Sequence, residues 1–534
     1  MIPVAAPSRG PLAAGPQAQA TPMSLNPALA VAALGALIGG AFPISVIFAI
    51  GDIGGGLSSS ADDAAWITTI YNVGQLIAQP LLMLLVAAVG RGRAMRIAGA
   101  GFGLMSLAIA LAPNLDFVIA ARLFQGLFGG MLPTLMMLLV MTSPLQGRAR
   151  VAGLATFSIS ASLGVGVGAG MAAWLVGLGQ QAGIGWRMLF WAQVAAAAIY
   201  VGLACLVLRQ ERGDPKRLAS ADWGSLILVT LAMSLMAIGL GEGERRFWLD
   251  SWWIAASLAC ATLAGLLAVD SLRRSPNPLI RLDVLSKPTL SWALILQLLF
   301  RFGLMVSIAV IPQYLARTQG FRIEQLGPLL APLALATLLT GPVAWWTACK
   351  FDPRVTLSAG LGCFALAASL CTFIAPDWAA PQFLAPVLLV GAGQALFGVA
   401  VLRFATWDIA MPQGPSVGVM FNFARVFGLV GGLAIAAHTI NEREKFHSAR
   451  LVEGLDLLDP AVSQRLATQS GAFANWLSDP AAVQRSGMAD LVRAAGLQAF
   501  TQGYADAFAV IALTLLAAAI LVWALPRLPL IPAR

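Results

Sequence analysis

An all-α, polytopic membrane fold is predicted by three observations on this 534-residue chain. Fourteen apolar stretches, each of about 20 residues, follow one another from Ala28 to Leu525, and ~18 or more apolar residues wound as a helix match the ~30 Å hydrocarbon core of a bilayer. The chain is 59% hydrophobic and 11% charged, where soluble domains carry about 25% charged residues. Its basic residues are shared unequally between alternate loops, as in proteins that thread a membrane.

The stretches span 28–50, 65–89, 97–112, 117–141, 151–178, 188–208, 224–241, 252–269, 290–315, 326–348, 355–375, 383–410, 418–439 and 505–525. Residues 1–27 carry one charge, Arg9, and lack the basic-then-apolar pattern of a cleaved signal, so they read as a cytoplasmic tail. The first stretch holds no acid. The second opens on Asp62 and Asp63, where acids stabilise a helix N-terminus, and ends at the basic loop Gly90-Arg91-Gly92-Arg93. The fourth contains Arg122, and the fifth carries Gly164, Gly166, Gly168 and Gly170, which let helices approach closely. The seventh and eighth read as additional helices within 209–289. The loop after the second stretch and the loop Lys350-Phe351-Asp352-Pro353-Arg354 after the tenth then occupy equivalent places in two six-helix halves, 28–208 and 290–525. That is the repeat logic of secondary transporters, with the substrate site between the halves near the midplane.

The ninth stretch contains Arg301, the twelfth Arg403 and Asp408, and the thirteenth Asn422 and Arg425. Between the last two, residues 441–504 mix charge with periodic apolar residues (Leu451, Leu455, Leu458, Val462). Two readings stand: short amphipathic helices lying on the membrane or docking a partner, and a solvated loop capping the bundle. Asp506 opens the last stretch, and 526–534 is a cytoplasmic tail.

With both termini cytoplasmic, the cytoplasmic segments hold 18 basic residues and the short outer loops five (Arg187, Arg245, Arg246, Arg317, Arg322). The positive-inside rule selects this orientation in a cell inner (plasma) membrane and makes 441–504 extracytoplasmic. Trp66, Trp186, Trp252, Trp253, Trp345, Trp346 and Trp378 fall near stretch ends, where interfacial rings belong. The net charge of +9 reflects loop arginines rather than nucleic-acid binding. The five cysteines form no CxxC pair and read as small core residues, without a disulfide or metal framework.

Arginine at a helix centre costs about 2.5–3.5 kcal/mol on insertion scales. Four arginines lie inside stretches: Arg122, Arg301, Arg403 and Arg425. Arg301 is deepest, roughly 14 Å in at 1.5 Å per residue, which points to a wet cavity or a protein partner. Arg403 is within snorkelling reach of the cytoplasmic end. For Arg122 and Arg425, hydrogen bonding to neighbouring carbonyls and pathway lining both stand. Asp408 is five residues from Arg403, a poor spacing for a same-helix ion pair. Four lysines and no Gly-Lys pair exclude a Walker A phosphate loop, and neither HExxH nor GxSxG occurs. The chain therefore reads as no enzyme, with no cofactor and no metal. His438, at the outer end of its stretch, reads as an interfacial histidine or a proton relay.

Several stretches resemble one family. Ala121-Arg122-Leu123-Phe124-Gln125-Gly126 is similar to the RxxQG motif of major facilitator superfamily transporters. Asp62-Asp63-Ala64-Ala65-Trp66-Ile67 with Tyr71 and Pro80 resembles the second-span opening of the fourteen-span drug/proton antiporters of the EmrB/QacA type. Trp186-Arg187 with Phe190, Asn277-Pro278-Leu279-Ile280, Phe421-Asn422-Phe423-Ala424-Arg425 and Tyr504-Ala505-Asp506-Ala507-Phe508 resemble their sixth-, ninth-, thirteenth- and last-span entries or motifs. The likeness covers roughly residues 28–525. It implies alternating access by two six-helix halves plus two inserted helices, export driven by proton influx, and a proton-coupling role for Arg122. The chain departs from the pattern in three places. The first span lacks the frequent Asp, the GxxxDxxGRR loop has Met83 and Ala87 at its first Gly and its Asp, and the GPxxGG motif is a glycine run without its Pro.

The reading is a proton-coupled exporter of amphipathic organic compounds. Buried arginine in place of buried carboxylate favours anionic or neutral substrates. Arg122, Gln125, Gly126, Arg301, Arg425, Asn422, Tyr71, Gln75, Asp62, Asp63, Arg403 and Asp408 are the substrate or proton pathway candidates. Gly164, Gly166, Gly168, Gly170, Gly90, Arg91 and Arg93 are the packing and gating candidates. The expected partners are the bilayer, a small-molecule substrate, protons and a periplasmic adaptor of a three-part efflux system. A metabolite importer or facilitator, and a non-transporting sensor or assembly subunit, are the rival functions.

Overall fold

The computed structural model describes residues 25–208, 211, 213–219, 221–276, 278, 280–410, 413–454 and 459–530. The expected tail up to residue 24, with Arg9, lies outside the described residues, as do Arg209, Arg212, Asn277, Leu279, Leu455, Leu458 and Arg534.

Among the described residues fourteen long helices follow in order. The first eight are α1 Leu25–Phe48, α2 Ala61–Val89, α3 Arg91–Ala110, α4 Leu115–Thr142, α5 Gly147–Gln181, α6 Arg187–Val207, α7 Trp223–Glu242 and α8 Trp252–Arg274. The remaining six are α9 Pro288–Gln319, α10 Ile323–Lys350, α11 Pro353–Cys371, α12 Ala380–Ala405, α13 Gly414–Glu453 and α14 Pro480–Leu521. Thirteen combine the length and apolarity needed to cross a membrane. The exception, α3, has 20 residues, about 30 Å, and carries Arg91, Arg93 and Arg96 in its first turns.

Local chemistry starts and stops these helices. The side chains of Ser60, Asn114, Asp222 and Asp352 accept backbone N–H bonds at 3.0–3.1 Å at the heads of α2, α4, α7 and α11. Gly90 (φ 85°) and Gly320 (φ 66°) end α2 and α9 in the left-handed region, which a side chain would resist. α5 slips at Leu163, between Gly147–Ser162 and Gly164–Gln181, and α9 contains a π-helical turn at Val306–Val310.

Packing reveals the repeat. In the first half α2 packs on α4, α3 on α4 and α6, and α1 on α4 and α5. In the second half α10 packs on α12, α11 on α12 and α14, and α9 on α12 and α13. Each pairing recurs eight helices later, which leaves α7 and α8 as the inserted pair. α7 packs on α2 and α13, and α8 packs mainly on α7, with Trp253 stacked on Trp66 (6.3 Å, 24°). The halves meet where α5 lies on α10 and α12, and where α13 lies on α2 and α4. The glycine run of α5 serves both contacts. Gly164 and Gly168 face the α1 backbone at Gly40 and Ala41, while Gly166 and Gly170 face Ala334 and Ala331 of α10. Outward faces carry exposed Leu104, Leu206, Leu266 and Leu339, as a lipid-facing surface does.

The structure corrects several expectations. The third helix begins at Arg91, because Gly90 rather than the charge run breaks the chain. Among the described residues, 441–504 is helical for most of its length, and much of it continues the two flanking long helices. α13 runs 40 residues, about 60 Å, and α14 runs 42, both far past a ~30 Å core, with the helix Pro460–Phe473 packed on α14. Asp506 consequently lies within α14 instead of opening a helix, and it accepts from Arg443 (2.5 Å) and His447 (2.7 Å) of α13. Trp186 is buried, edge-to-face on Phe190 (5.7 Å) and packed under the short helix Ile50–Gly56 that follows α1. Cys205 and Cys260 sit on exposed helix faces, not in the core.

Close helix approach at Gly126 gives a direct test. A Cβ there would overlap the Tyr71 carbonyl, whereas Gly362 has open space. Gly126→Ala is expected to cost about 1–3 kcal/mol through overpacking, read as a lower unfolding temperature of the purified protein, with Gly362→Ala unchanged or higher.

Candidate functional site

The first polar knot forms between α2 and α4. Gly126 lets the α4 backbone reach the Tyr71 carbonyl, and Gly74 does the same from α2 towards Leu123. That approach lays the Arg122 guanidinium 4.0 Å over the Tyr71 ring. Arg122 donates to the Ile67 carbonyl (3.2 Å) and to Gln125 Oε1 (2.6 Å). Gln125 Nε2 in turn donates to Ser106 Oγ of α3 (2.7 Å) and Gln193 Oε1 of α6 (2.8 Å). Arg122, Gln125, Ser106 and Gln193 are all buried. The cation is thus spread over carbonyl oxygens and a π face, and among the described residues it has no carboxylate partner. The RxxQG residues tie four helices of the first half together.

A second cationic group lies at mid-depth between α9 and α13. Arg301 packs its Cβ against Gly428, one helical turn from Arg425, and holds its guanidinium 5.5 Å from the Phe300 ring. Arg301 Nε is buried without a hydrogen-bond partner, and among the described residues neither arginine pairs with a carboxylate. Asn422, one turn earlier, donates to the Gly418 carbonyl within its own helix (2.9 Å). Gln75 is half-buried; its carbonyl accepts from Gln79 (3.0 Å), and Gly130 packs on its Cα.

A cavity of about 660 Å³ opens at the end of the bundle opposite the basic loops, walled by α1, α2, α7, α9, α10 and α13. Its polar lining includes Asp62, Thr68, Thr69, Asn72, Gln313 and Arg317. Of the sequence-derived pathway candidates only Asp62 lines it. Asp63 accepts from Ser60 (2.7 Å) in the α2 cap. Ile308 and Val430 mark how far the cavity reaches along α9 and α13. Arg301 and Arg425 lie seven and five residues deeper, beneath its floor.

At the basic end the halves are shut. Val151 and Ala155 of α5 are buried against Ala344 and Ala348 of α10 and Ala395 and Val399 of α12. Arg403 is buried and does not snorkel. It donates to the carbonyls of Ala348, Phe351 (3.0 Å) and Pro529 (3.0 Å), because the returning chain end covers it. Asp408 pairs with Lys287 (3.4 Å) instead. Arg91 donates to Glu211 from Nε (2.9 Å) and a terminal nitrogen (2.5 Å), and to Thr142 (2.5 Å). Arg93 is exposed and has a partner of its own. Gly90 leaves room for the Glu211 backbone, and the Asp214 N–H donates to the Ala87 carbonyl (2.9 Å). The segment leading to the inserted pair therefore latches onto the α2–α3 loop. The equivalent loop in the second half keeps a local pair, Arg354 with Asp352 (2.8 Å).

Sequence reading missed Glu211, Gln193, Thr69 and Glu242. Glu242 stands one residue beyond an apolar stretch, in Gly241-Glu242-Gly243-Glu244, where an acid reads as loop. In the structure it is fully buried.

A family model described as Major Facilitator Superfamily matches residues 28–436. The chain is 21% identical to the colistin resistance protein EmrB of Acinetobacter baumannii, over 89% of this chain and 91% of that one. It is 22% identical to the fatty acid resistance protein FarB of Neisseria gonorrhoeae, over 75% and 78%. Its fold matches that of the proton:xylose symporter XylE with a TM-score of 0.56 at 14% identity, over 94% and 96%.

The Arg91 hydrogen bonds hold the Glu211 carboxyl below the usual carboxylate range. A carboxylate depressed in the folded state contributes stability above its unfolded pKa and loses it as pH falls through the folded one. The gap in unfolding temperature between the native protein and Glu211→Gln is therefore expected to be widest near neutral pH and to close in acid. A gap independent of pH speaks against the ion pair.

Proposed function

The chain belongs to the major facilitator superfamily and is a multidrug-efflux-like secondary transporter, and on that premise we propose that it exports anionic or neutral amphipathic compounds in exchange for protons. The observation that carries the cargo preference is the pair Arg301 and Arg425 at mid-depth, half-buried beyond the cavity and without a carboxylate among the described residues, with the Arg301 Nε buried and unpartnered. A half-buried cation without a counterion has an electrostatic demand that an anionic head group satisfies. The π-helical turn just beyond Arg301 and the paired glycines of α5 are the places where α9 and the half-to-half contact can adjust.

Read with the basic loops cytoplasmic, as the positive-inside rule favours, the cavity faces outward and the inner end is closed. Cargo would reach the arginine pair when the basic end opens, and leave through the cavity when it closes. The inner membrane, with both chain ends cytoplasmic, is the location this orientation implies. The α13–α14 projection would then stand outside, where an adaptor of a three-part system can reach it. The fatty acid resistance relative supports anionic cargo.

In proteoliposomes with an imposed pH gradient, the native protein is expected to move carboxyfluorescein in preference to ethidium. Losing one charged hydrogen bond is worth about 1.5–3 kcal/mol, so Arg301→Gln should weaken handling of the anion by roughly tenfold or more, while ethidium is not further reduced. Good ethidium transport with none of carboxyfluorescein, together with an unimpaired Arg301→Ala protein, would overturn the cargo assignment.

A further inference from the structure

Among the described residues Glu242 is the only acidic side chain that is fully buried, and the roles assigned so far leave it without a task. It closes α7, where the helix carbonyls disfavour another negative charge. Its carboxylate is held by two groups of different character. Thr69 of α2 donates its hydroxyl to Oε1 at 2.6 Å. Arg245 stands more loosely, 3.4 and 3.5 Å from the two oxygens, with its side chain 40% exposed. A buried carboxylate that loses its cationic partner is costly as an anion and comfortable as a neutral acid still hydrogen-bonded to a hydroxyl.

The setting gives this carboxylate a route to water. Thr69, Gly241 and Arg245 all line the 660 Å³ cavity, so the carboxylate sits immediately behind its wall. Gly241 leaves room at the contact, since a Cβ there would come 3.2 Å from the Thr69 hydroxyl and crowd it. The charged or titratable groups on the elements packed around it include Asp62, Asp63 and Tyr71 of α2, Arg425, His438, Glu442 and Arg443 of α13, Asp270, Arg273 and Arg274 at the far end of α8, and Glu244, Arg245, Arg246 and Asp250 of the α7–α8 connection. Of these, Glu244 is already engaged by His438 (2.9 Å), Asn441 (3.0 Å) and Trp248 (2.7 Å), and Asp62 is exposed at the mouth. No acid stands on α1 between residues 28 and 50 to share the task.

We propose that Glu242, on the first inserted helix, is the proton-binding carboxylate of this transporter, with Thr69 as its positioning residue and Arg245 as the cation its protonation releases. One proton from the cavity adds to one carboxylate oxygen, and no other covalent bond changes. The neutral acid keeps its bond with Thr69, and the freed Arg245 charge turns to the cavity mouth. The assignment rests on the proton-exchange reading above and names the residue that performs it.

The test uses the full-length protein in proteoliposomes with carboxyfluorescein as probe, measured in two modes. Glu242→Gln preserves the shape and an acceptor for Thr69. It is expected to keep carboxyfluorescein counterflow without a pH gradient and to lose the response to an imposed gradient. Thr69→Val should shift the pH profile of driven transport without abolishing it, and Thr69→Ser should restore the native profile. Infrared titration gives an independent readout. The carbonyl stretch of a buried protonated acid should appear in the native protein and in Glu244→Gln and be missing from Glu242→Gln. Gradient-driven transport that survives in Glu242→Gln, or an unchanged infrared band there, overturns the assignment while leaving proton exchange intact. Native transport indifferent to the gradient overturns proton exchange itself, and the coupling role of Glu242 with it.

Discussion

A charge buried in about 30 Å of hydrocarbon must be hydrogen-bonded, neutralised or given access to water. The molecule meets that constraint differently at each of its four membrane-embedded arginines. Arg122 is dispersed over a tyrosine ring, a backbone carbonyl and a glutamine relay. Arg403 is fastened to the carbonyls of Ala348, Phe351 and Pro529, where the chain end returns. Both are locked, and both act as ties. Arg301 and Arg425 are not compensated in that way, and they lie on α9 and α13 beyond the deepest cavity-lining residues of those helices, Ile308 and Val430. The same constraint that makes two arginines structural leaves the other two without a carboxylate or carbonyl partner among the described residues, and it is on these two that the proposed cargo site rests.

Glycine sets the geometry in which those charges are held. The Arg122 stack on Tyr71 exists because Gly126 and Gly74 let two backbones touch. The α5 glycines divide between two neighbours, Gly164 and Gly168 towards α1 and Gly166 and Gly170 towards α10. A helix that presents small residues on opposite faces can slide against one half while fixed to the other, which suits the contact that must change in alternating access. Loss of the family's proline from this run leaves that two-faced packing in place.

The fold was legible in the sequence because bilayer thickness imposes a length on every span and loop charge marks the alternation. Arg122, Gln125 and Gly126 were legible as a group because their spacing places them on one face of one helix. Residues whose role depends on a second segment were not. Glu211 is 120 residues from Arg91, and Glu242 is 173 residues from Thr69. Neither has a local pattern that separates it from a loop acid. The 441–504 region misled for a related reason. Its polar composition describes helices leaving the bilayer, and the cross-links from Arg443 and His447 to Asp506 that hold them upright are visible only once α13 and α14 are side by side.

The inserted region accounts for what the two halves lack. The first half has Ala87 where the resemblance places a loop aspartate, and its Arg91 would face the basic end uncompensated without Glu211. The equivalent loop of the second half keeps its own local acid, Asp352, beside Arg354. α1 has no carboxylate, while α7 delivers one to Thr69 on the neighbouring α2. Glu244, two residues on, reaches across to His438 and Asn441 of α13 and so joins the inserted pair to the second half. Three carboxylates from one stretch of chain thus compensate positions at both ends of the bundle and in both halves. The inserted region that the repeat treats as additional, one helix end and the segments on either side of it, carries these three acids.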